Sequence, residues 1–426
     1  MTRGATNGSG GERAVVIGAG AAGAAAVFAA ERAGWSVTWI DGGAGATALT
    51  SGALDFEPWE QLSRAIAVAG TSALVQPRAL IEARAFVDAL GIWELPKDRV
   101  PMLVTTAGVV RPARGFDKAL LDLSALRGRT VLVPRVDRAQ WDADWLARSW
   151  SEGARGSGVG FSAVDVPVLR YEEESRVADG ELARRHDDPA RLAWLVDRLA
   201  PVVRANGREG TAILLGPWLG VEAPRASELT ARLGVPVGEA LSGTAGTAGL
   251  RFEAARARVA RGEILEATVA RVENDGSALR VVFAGERPSI RARRVIVATG
   301  GLIAGNLAFV PPNQGAGWDG AESVRPAFRQ ALEAPDLEPF VLAGSMHGPF
   351  LDETAWPRDG RAGALEAAGA RASASADPRL LTIVGDARRG APRTMIEAIA
   401  SGLSAFAPAD QVAPADAWVD ADAIAS

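Results

Sequence analysis

The chain contains no cysteine. It can form no disulfide, ligate no thiolate iron–sulfur cluster and offer no redox thiol pair, so any electron chemistry falls to a bound organic cofactor. Histidine is scarce, present only as His186 and His347, which leaves few candidates for the base that an alcohol oxidation needs. Lysine occurs only at Lys97 and Lys118, and the basic residues are otherwise arginine spread along the chain. With a net charge of −5 and no basic block, nucleic acid is excluded as an expected partner. No cluster of metal-ligating residues stands out, and no metal is expected. No run has the length and apolarity of a membrane span.

What is present suits a large globular enzyme: 426 residues, 48% hydrophobic and 23% charged. Arg3 and Arg13 before the small-residue run Ala14 to Ala30 imitate a secretion signal, but three glycines interrupt that run. Val15-Val16-Ile17 reads instead as a buried strand ending in a glycine turn. The expected location is therefore cytoplasmic.

Residues 1–11 read as a mobile arm. From there the sequence runs strand (Ala14 to Ile17), helix (Ala21 to Ala33), strand (Val37 to Asp41), the opening of a βαβ unit and a parallel sheet. The expected fold class is α/β: a Rossmann-like FAD-binding domain with a parallel sheet and a β-meander, plus an inserted α/β cap. Its parts are the flavin domain at 12–100, 251–310 and 376–406, the cap at 101–250, a cap or substrate segment at 311–375, and a flexible tail at 407–426. Within the cap, Thr130 to Pro134, Ser162 to Val168, Ala212 to Leu215 and Val235 to Val237 read as short strands. Ala139 to Trp150, Pro189 to Ala205 and Ala226 to Leu233 repeat apolar residues at helical spacing. Glu263 to Val272 and Leu279 to Phe283 alternate like meander strands around Asn274-Asp275-Gly276.

Gly18, Gly20 and Gly23 form G-x-G-x-x-G between a strand and a helix. The first glycine permits a tight turn, the second admits a pyrophosphate to the backbone, and the third lets helix and strand pack closely. The helix N-terminus then receives the phosphates. Asp41 closes the second strand, where a carboxylate accepts ribose hydroxyls and repels a 2′-phosphate. Val295 to Gly301, containing Thr299 and Gly300, and the pair Gly385-Asp386 resemble later flavoprotein segments, the second acid serving the ribityl chain. Thr47, Thr50, Ser51 and Gly52 supply small hydrogen-bonding groups after the second strand, with a solvated loop as the alternative reading.

Taken together these residues resemble the B subunit of anaerobic glycerol-3-phosphate dehydrogenase, a branch of the FAD-dependent oxidoreductases of glutathione-reductase type. The likeness runs through Val15 to Asp41, Ser51-Gly52-Ala53-Leu54-Asp55, Gly249-Leu250-Arg251, Ala298-Thr299-Gly300-Gly301, His347 to Thr354 and Gly385-Asp386. It implies oxidation of glycerol 3-phosphate to dihydroxyacetone phosphate, with electrons passing through a second flavoprotein subunit and an iron–sulfur membrane anchor to quinone. The chain would then sit at the inner face of the cell membrane through those partners. FAD is the cofactor favoured by Asp41, with FMN the alternative that the family also carries.

For catalysis His347 is the candidate base, with an incidental loop histidine as the rival reading, while His186, among Arg184, Arg185, Asp187 and Asp188, reads as solvated. Arg251 is the candidate for the anionic substrate and for catalysis, a surface cation beside Glu253 being its alternative. Arg388 and Arg389 are second choices, since Trp356 stands where the family pattern has an arginine. Two other functions stay open: an FAD oxidoreductase acting alone on another small substrate, and a flavin-fold assembly subunit without catalysis.

Overall fold

A strand buried on both faces has no polar side to alternate, and Ala14, Val15, Val16 and Ile17 supply such a run. In the computed structural model this run is β1 (Arg13–Ile17), the middle strand of a five-stranded parallel sheet. The structure describes residues 12–55, 77–244, 246–259, 262–301, 304, 307–310, 327–330, 332–334, 337–339, 370–372, 377, 379–388 and 394–407. The chain divides into two compact units: Met1–Gly45, Ala65–Ala83 and Ala260–Ser426 in one, Ala46–Arg64 and Arg84–Val259 in the other.

The first unit continues with α1 (Ala21–Arg32), β2 (Ser36–Asp41), β3 (Glu263–Glu266), β4 (Val269–Asp275), β5 (Ala278–Phe283), β6 (Ile290–Ala292), β7 (Arg294–Val297), β8 (Leu381–Ile383) and α2 (Met395–Ser404). Its parallel sheet has the order β3-β2-β1-β7-β8. Val15 pairs with Thr38 on one side and Val295 on the other, and Val295 with Leu381.

Side chains alternate between two covers. Val15, Ile17, Val295 and Val297 join Val272, Leu279, Val281 and Phe283 in one core, so the antiparallel meander β4-β5-β6 packs on that face. The helices α1 and α2 pack closely on each other, at Gly402, where a Cβ would lie 2.2 Å from the carbonyl oxygen of Ala22. Small residues on α1 make that approach possible.

Two expectations change here. Glu263–Glu266 is no meander strand: it pairs parallel to β2 and closes the edge of the main sheet. Asn274 and Asp275 belong to β4, and the two-residue turn is Gly276-Ser277, with Gly276 at φ +67°, because Asp275 pairs with Ala278. Glycine takes the left-handed position and Asn-Asp is free to pair.

The second unit carries a four-stranded parallel sheet ordered Val237–Glu239, Thr211–Leu215, Thr130–Pro134, Gly160–Val164. Its helices include Ala143–Gly153, Asp179–Arg185, Pro189–Asn206 and Ala226–Leu233. Pro189–Asn206 begins where Asp188 Oδ1 accepts from the amide of Ala190 at 2.9 Å, starts with proline, and buries Leu192, Leu195, Leu199 and Val203 at helical spacing. This unit begins at Ala46, well before the expected boundary near residue 100, because Ala53–Leu54 and Trp93–Glu94 both pair with Gly115–Asp117. Among the described residues no helix is long and apolar enough to cross a membrane.

Candidate functional site

Strand order decides where the first unit can hold a ligand. From β1 the chain crosses to β2 on one side, whereas β7 leads to β8 on the other, so the connections diverge between β1 and β7. Open parallel sheets bind ligands outside the carboxyl ends of their strands at such a point. Four expected site segments end there: Gly18 after β1, Asp41 at the end of β2, Thr299 and Gly300 after β7, and Gly385 after β8. Backbone bonds fix them, from Gly18 N to Ile40 O at 2.9 Å, Ala298 N to Ile17 O at 2.8 Å and Val384 N to Val297 O at 2.9 Å.

The glycines are required by contact. Gly18 has φ +112°, and a Cβ there would stand 2.2 Å from the carbonyl oxygen of Ala298. At Gly23 a Cβ would stand 1.9 Å from the carbonyl oxygen of Gly18. Backbone stands against backbone, so nothing flexible can yield. Gly20 is the N-cap of α1 in extended conformation, without a capping side chain, and the first turn carries no acidic residue. A helix start with a glycine N-cap and no acidic side chain in its first turn fits a diphosphate. The indole of Trp39 donates to Gly18 O at 2.9 Å and pins the turn from β2.

Asp41 Oδ1 accepts from Gly43 N at 3.0 Å, which shapes the bend after β2 and orients the carboxylate. Thr299 carries the most direct sign of a missing partner: its Oγ1 is buried and makes no hydrogen bond with any described residue. Buried hydroxyls are ordinarily satisfied, and one at a switch point fits a bound polar group. Gly300 takes φ +73°, and Gly385 takes φ +62° with its amide donating to Ser401 Oγ at 2.8 Å. Asp386 lies in the single turn Gly385–Ala387. These residues together fit FAD in the adenosine, diphosphate and ribityl regions.

Thr47, Thr50, Ser51 and Gly52 lie in the second unit and bond within it. Gly52 N donates to Thr50 Oγ1 at 3.2 Å, Asp117 N donates to Gly52 O at 2.7 Å, and Ser242 N donates to Ser51 O at 3.3 Å. Nearby, Gly249 lets the helix Thr247–Val259 meet the turn Ala46–Leu49, a Cβ there standing 1.9 Å from Ala48 O.

Arg251 is a correction. It is neither a surface cation nor a group turned to a substrate, but fully buried and saturated inside the second unit. Its Nη2 donates to both oxygens of Glu239 at 2.8 Å, Nη1 to Asp117 Oδ2 at 3.2 Å and Nε to Gly220 O at 2.7 Å. Burial acts to lower its pKa, but Asp117 and Glu239 outweigh burial and raise it. Two carboxylates share this one cation. Burial pushes the Glu239 carboxyl up to about 7, with Arg251 pulling it down and Asp117 pushing it further up.

His186 also differs from expectation. It is wholly buried, with Nδ1 between Leu182 O at 3.0 Å and Trp218 O at 2.9 Å. Burial, aided by Arg191, lowers its pKa to about 4, so it is neutral at pH 7 with the proton on Nδ1. Its place is structural, at the end of the helix Asp179–Arg185. Arg388 lies after the Gly385–Ala387 turn, where burial lowers its pKa and Glu397 on α2 opposes that. His347 and Arg389 lie outside the described residues. Sequence reasoning missed Trp39, Ser401, Asp117 and Glu239, whose roles arise from contacts far along the chain and leave no local motif.

No protein-family model matches the chain, and no curated protein matches it. Solved structures similar to it include 3-ketosteroid delta1-dehydrogenase from Sterolibacterium denitrificans, 14% identical over 69% of this chain and 48% of that one, TM-score 0.28. Glycine oxidase from Geobacillus kaustophilus is 16% identical over 69% and 57%, TM-score 0.24. Cyclohexylamine oxidase from Brevibacterium oxydans IH-35A is 19% identical over 68% and 58%, TM-score 0.23. The matched part of each of these three is thus 48% to 58% of its length.

Proposed function

We propose that the chain is a flavin-dependent oxidoreductase polypeptide that binds FAD, and that it oxidises glycerol 3-phosphate to dihydroxyacetone phosphate as one subunit of a quinone-reducing complex. The observation that carries the flavin reading is the turn at Gly18 to Gly23, where backbone contact forces glycine at Gly18 and Gly23 beside a helix start that has a glycine N-cap and no acidic side chain. Asp41 supports FAD over FMN, because only FAD carries an adenosine ribose to meet the carboxylate at the end of β2. Bound FAD supplies a two-electron acceptor for the hydride of a secondary alcohol. In this reading the amides at the start of α1 hold the diphosphate, Asp41 accepts from the adenosine ribose, Thr299 Oγ1 bonds the cofactor, and Asp386 accepts from the ribityl hydroxyls. His347 is the proposed acceptor of the alcohol proton. The glycerol 3-phosphate substrate and the partner subunits rest on the family resemblance of the sequence.

A second reading is favoured by Arg251. A chain whose best candidate for the anionic substrate is locked between two buried carboxylates suits a flavin-fold subunit that supports assembly without oxidising substrate itself. Absorbance of the purified protein and chromatography of its extracted cofactor test the flavin. Yellow protein releasing FAD is expected; folded, colourless protein that refuses added flavin overturns it. Anaerobic bleaching by glycerol 3-phosphate supports the first reading, and flavin that this substrate leaves oxidised in the presence of the partner subunits favours the second.

A further inference from the structure

The parallel sheet of the second unit ends on the strand Gly160–Val164, which pairs with Thr130–Pro134. Among the described residues no strand pairs with its other side. Gly160 N donates to Arg129 O at 3.0 Å and Arg135 N donates to Val164 O at 2.8 Å, so Gly160, Ser162 and Val164 turn their backbone groups into the sheet. Alternate residues of a parallel ladder face opposite neighbours. The N–H and C=O groups of Phe161 and Ala163 therefore point outward.

Natural edges are blunted by charge, proline or a bulge. This strand has none of them: its sequence is Gly-Phe-Ser-Ala-Val, and its register with Thr130–Pro134 runs without a shift. Gly160 and Ser162 are exposed, while the Phe161 ring lies 5.7 Å from that of Trp150 on the helix Ala143–Gly153. The pattern is self-complementary. With a second copy antiparallel and Ser162 opposite its own counterpart, Phe161 of each copy faces Ala163 of the other, and every outward N–H meets an outward C=O. Each large side chain then stands beside a small one, Phe161 beside Ala163 and Val164 beside Gly160. Charge agrees. The entry to the strand carries the exposed Arg155 and Arg127, the latter so near Gly158 that a Cβ there would lie 3.1 Å from its Cγ. The exit carries Asp144 and Asp165 about the single cation of Arg135. Antiparallel pairing sets the basic entry of one copy against the acidic exit of the other.

We propose that Gly160–Val164 is a docking edge for a second copy of this chain, joined antiparallel about a two-fold axis at Ser162 into one continuous sheet. The inference stands on the second unit and does not depend on the flavin reading. Sedimentation velocity of the full chain and single-cysteine crosslinking test it together. A concentration-dependent dimer is expected at about 100 μM. Ser162 is exposed, so Ser162→Lys keeps the fold, as circular dichroism checks, while like charges meet across the axis and weaken the dimer about tenfold at low salt. Ser162→Cys introduces the sole thiol of the chain. Opposed Cα atoms in such a non-hydrogen-bonded pair lie about 4.5 Å apart, so mild oxidation links two copies. Ser277→Cys, exposed on the turn after β4, links none. A chain that stays monomeric at that concentration overturns the pairing and leaves the edge to a strand of another protein. A dimer that Ser162→Lys does not weaken, or that Ser162→Cys links no faster than Ser277→Cys, overturns it as well, since another surface then joins the copies.

Discussion

At the scale of single residues, the orphaned hydroxyl of Thr299 makes two opposite demands. Replacing it by valine removes an unsatisfied buried oxygen, so the flavin-free protein is expected to keep or slightly gain stability. Flavin affinity should fall about fivefold, for about 1 kcal/mol of lost hydrogen bonding. Fluorescence titration with FAD beside urea denaturation reads both, and unchanged affinity would remove Thr299 from the site. Glu239 gives a pH signature. Its folded pKa, about 7, lies above the ordinary glutamate value of 4.5, so its contribution is fully present below the lower value and is lost as pH rises through the higher one. The urea midpoint should decline between about pH 5 and about pH 8, and Glu239→Gln should flatten that decline. The glycine turn and Asp41 were legible because they belong to one local stretch. The burial of Arg251 was not, since Asp117 and Glu239 are 134 and 12 positions away.

At the scale of elements, helices with explicit signals were read closely. Ala226–Leu233 ends at Gly234 in left-handed conformation, and Pro189–Asn206 opens on Asp188 and proline. Strand type was harder. The stretch Glu263 to Val272 reads as one antiparallel ribbon, yet β2 offers its first four residues a parallel edge, and periodicity carries no information about direction. The contact between α1 and α2 was invisible too, because it depends on Gly402 facing Ala22. Gly402→Val should destabilise the first unit by about 1–3 kcal/mol, since Ala22 O lies 2.2 Å from the added Cβ and the helices must part. Thermal melts of this variant decide it, and a wild-type melting temperature would show the interface to be looser than described.

For the whole molecule, the α/β class and the alternation of parallel sheet, insert and meander followed from the order of elements along the chain. The boundary at Ala46 did not, because the two-residue strand Ala53–Leu54 is too short to announce its partner, Gly115–Asp117. Ligand linkage supplies the global prediction: at about 100 times its Kd, FAD should stabilise the protein by about 2.7 kcal/mol. FMN, which brings no adenosine ribose to Asp41, should stabilise it less at equal concentration. Equal shifts in differential scanning fluorimetry would take Asp41 out of cofactor recognition.

Trp39 gives the turn a voice of its own. Its indole grips the carbonyl of Gly18, so whatever settles on that loop lies next to a native fluorophore. A yellow ligand absorbing in the indole emission band would drain that light by resonance transfer, and the difference between the parent and Trp39→Phe would isolate the signal. Occupancy can then be followed in real time without attaching a dye.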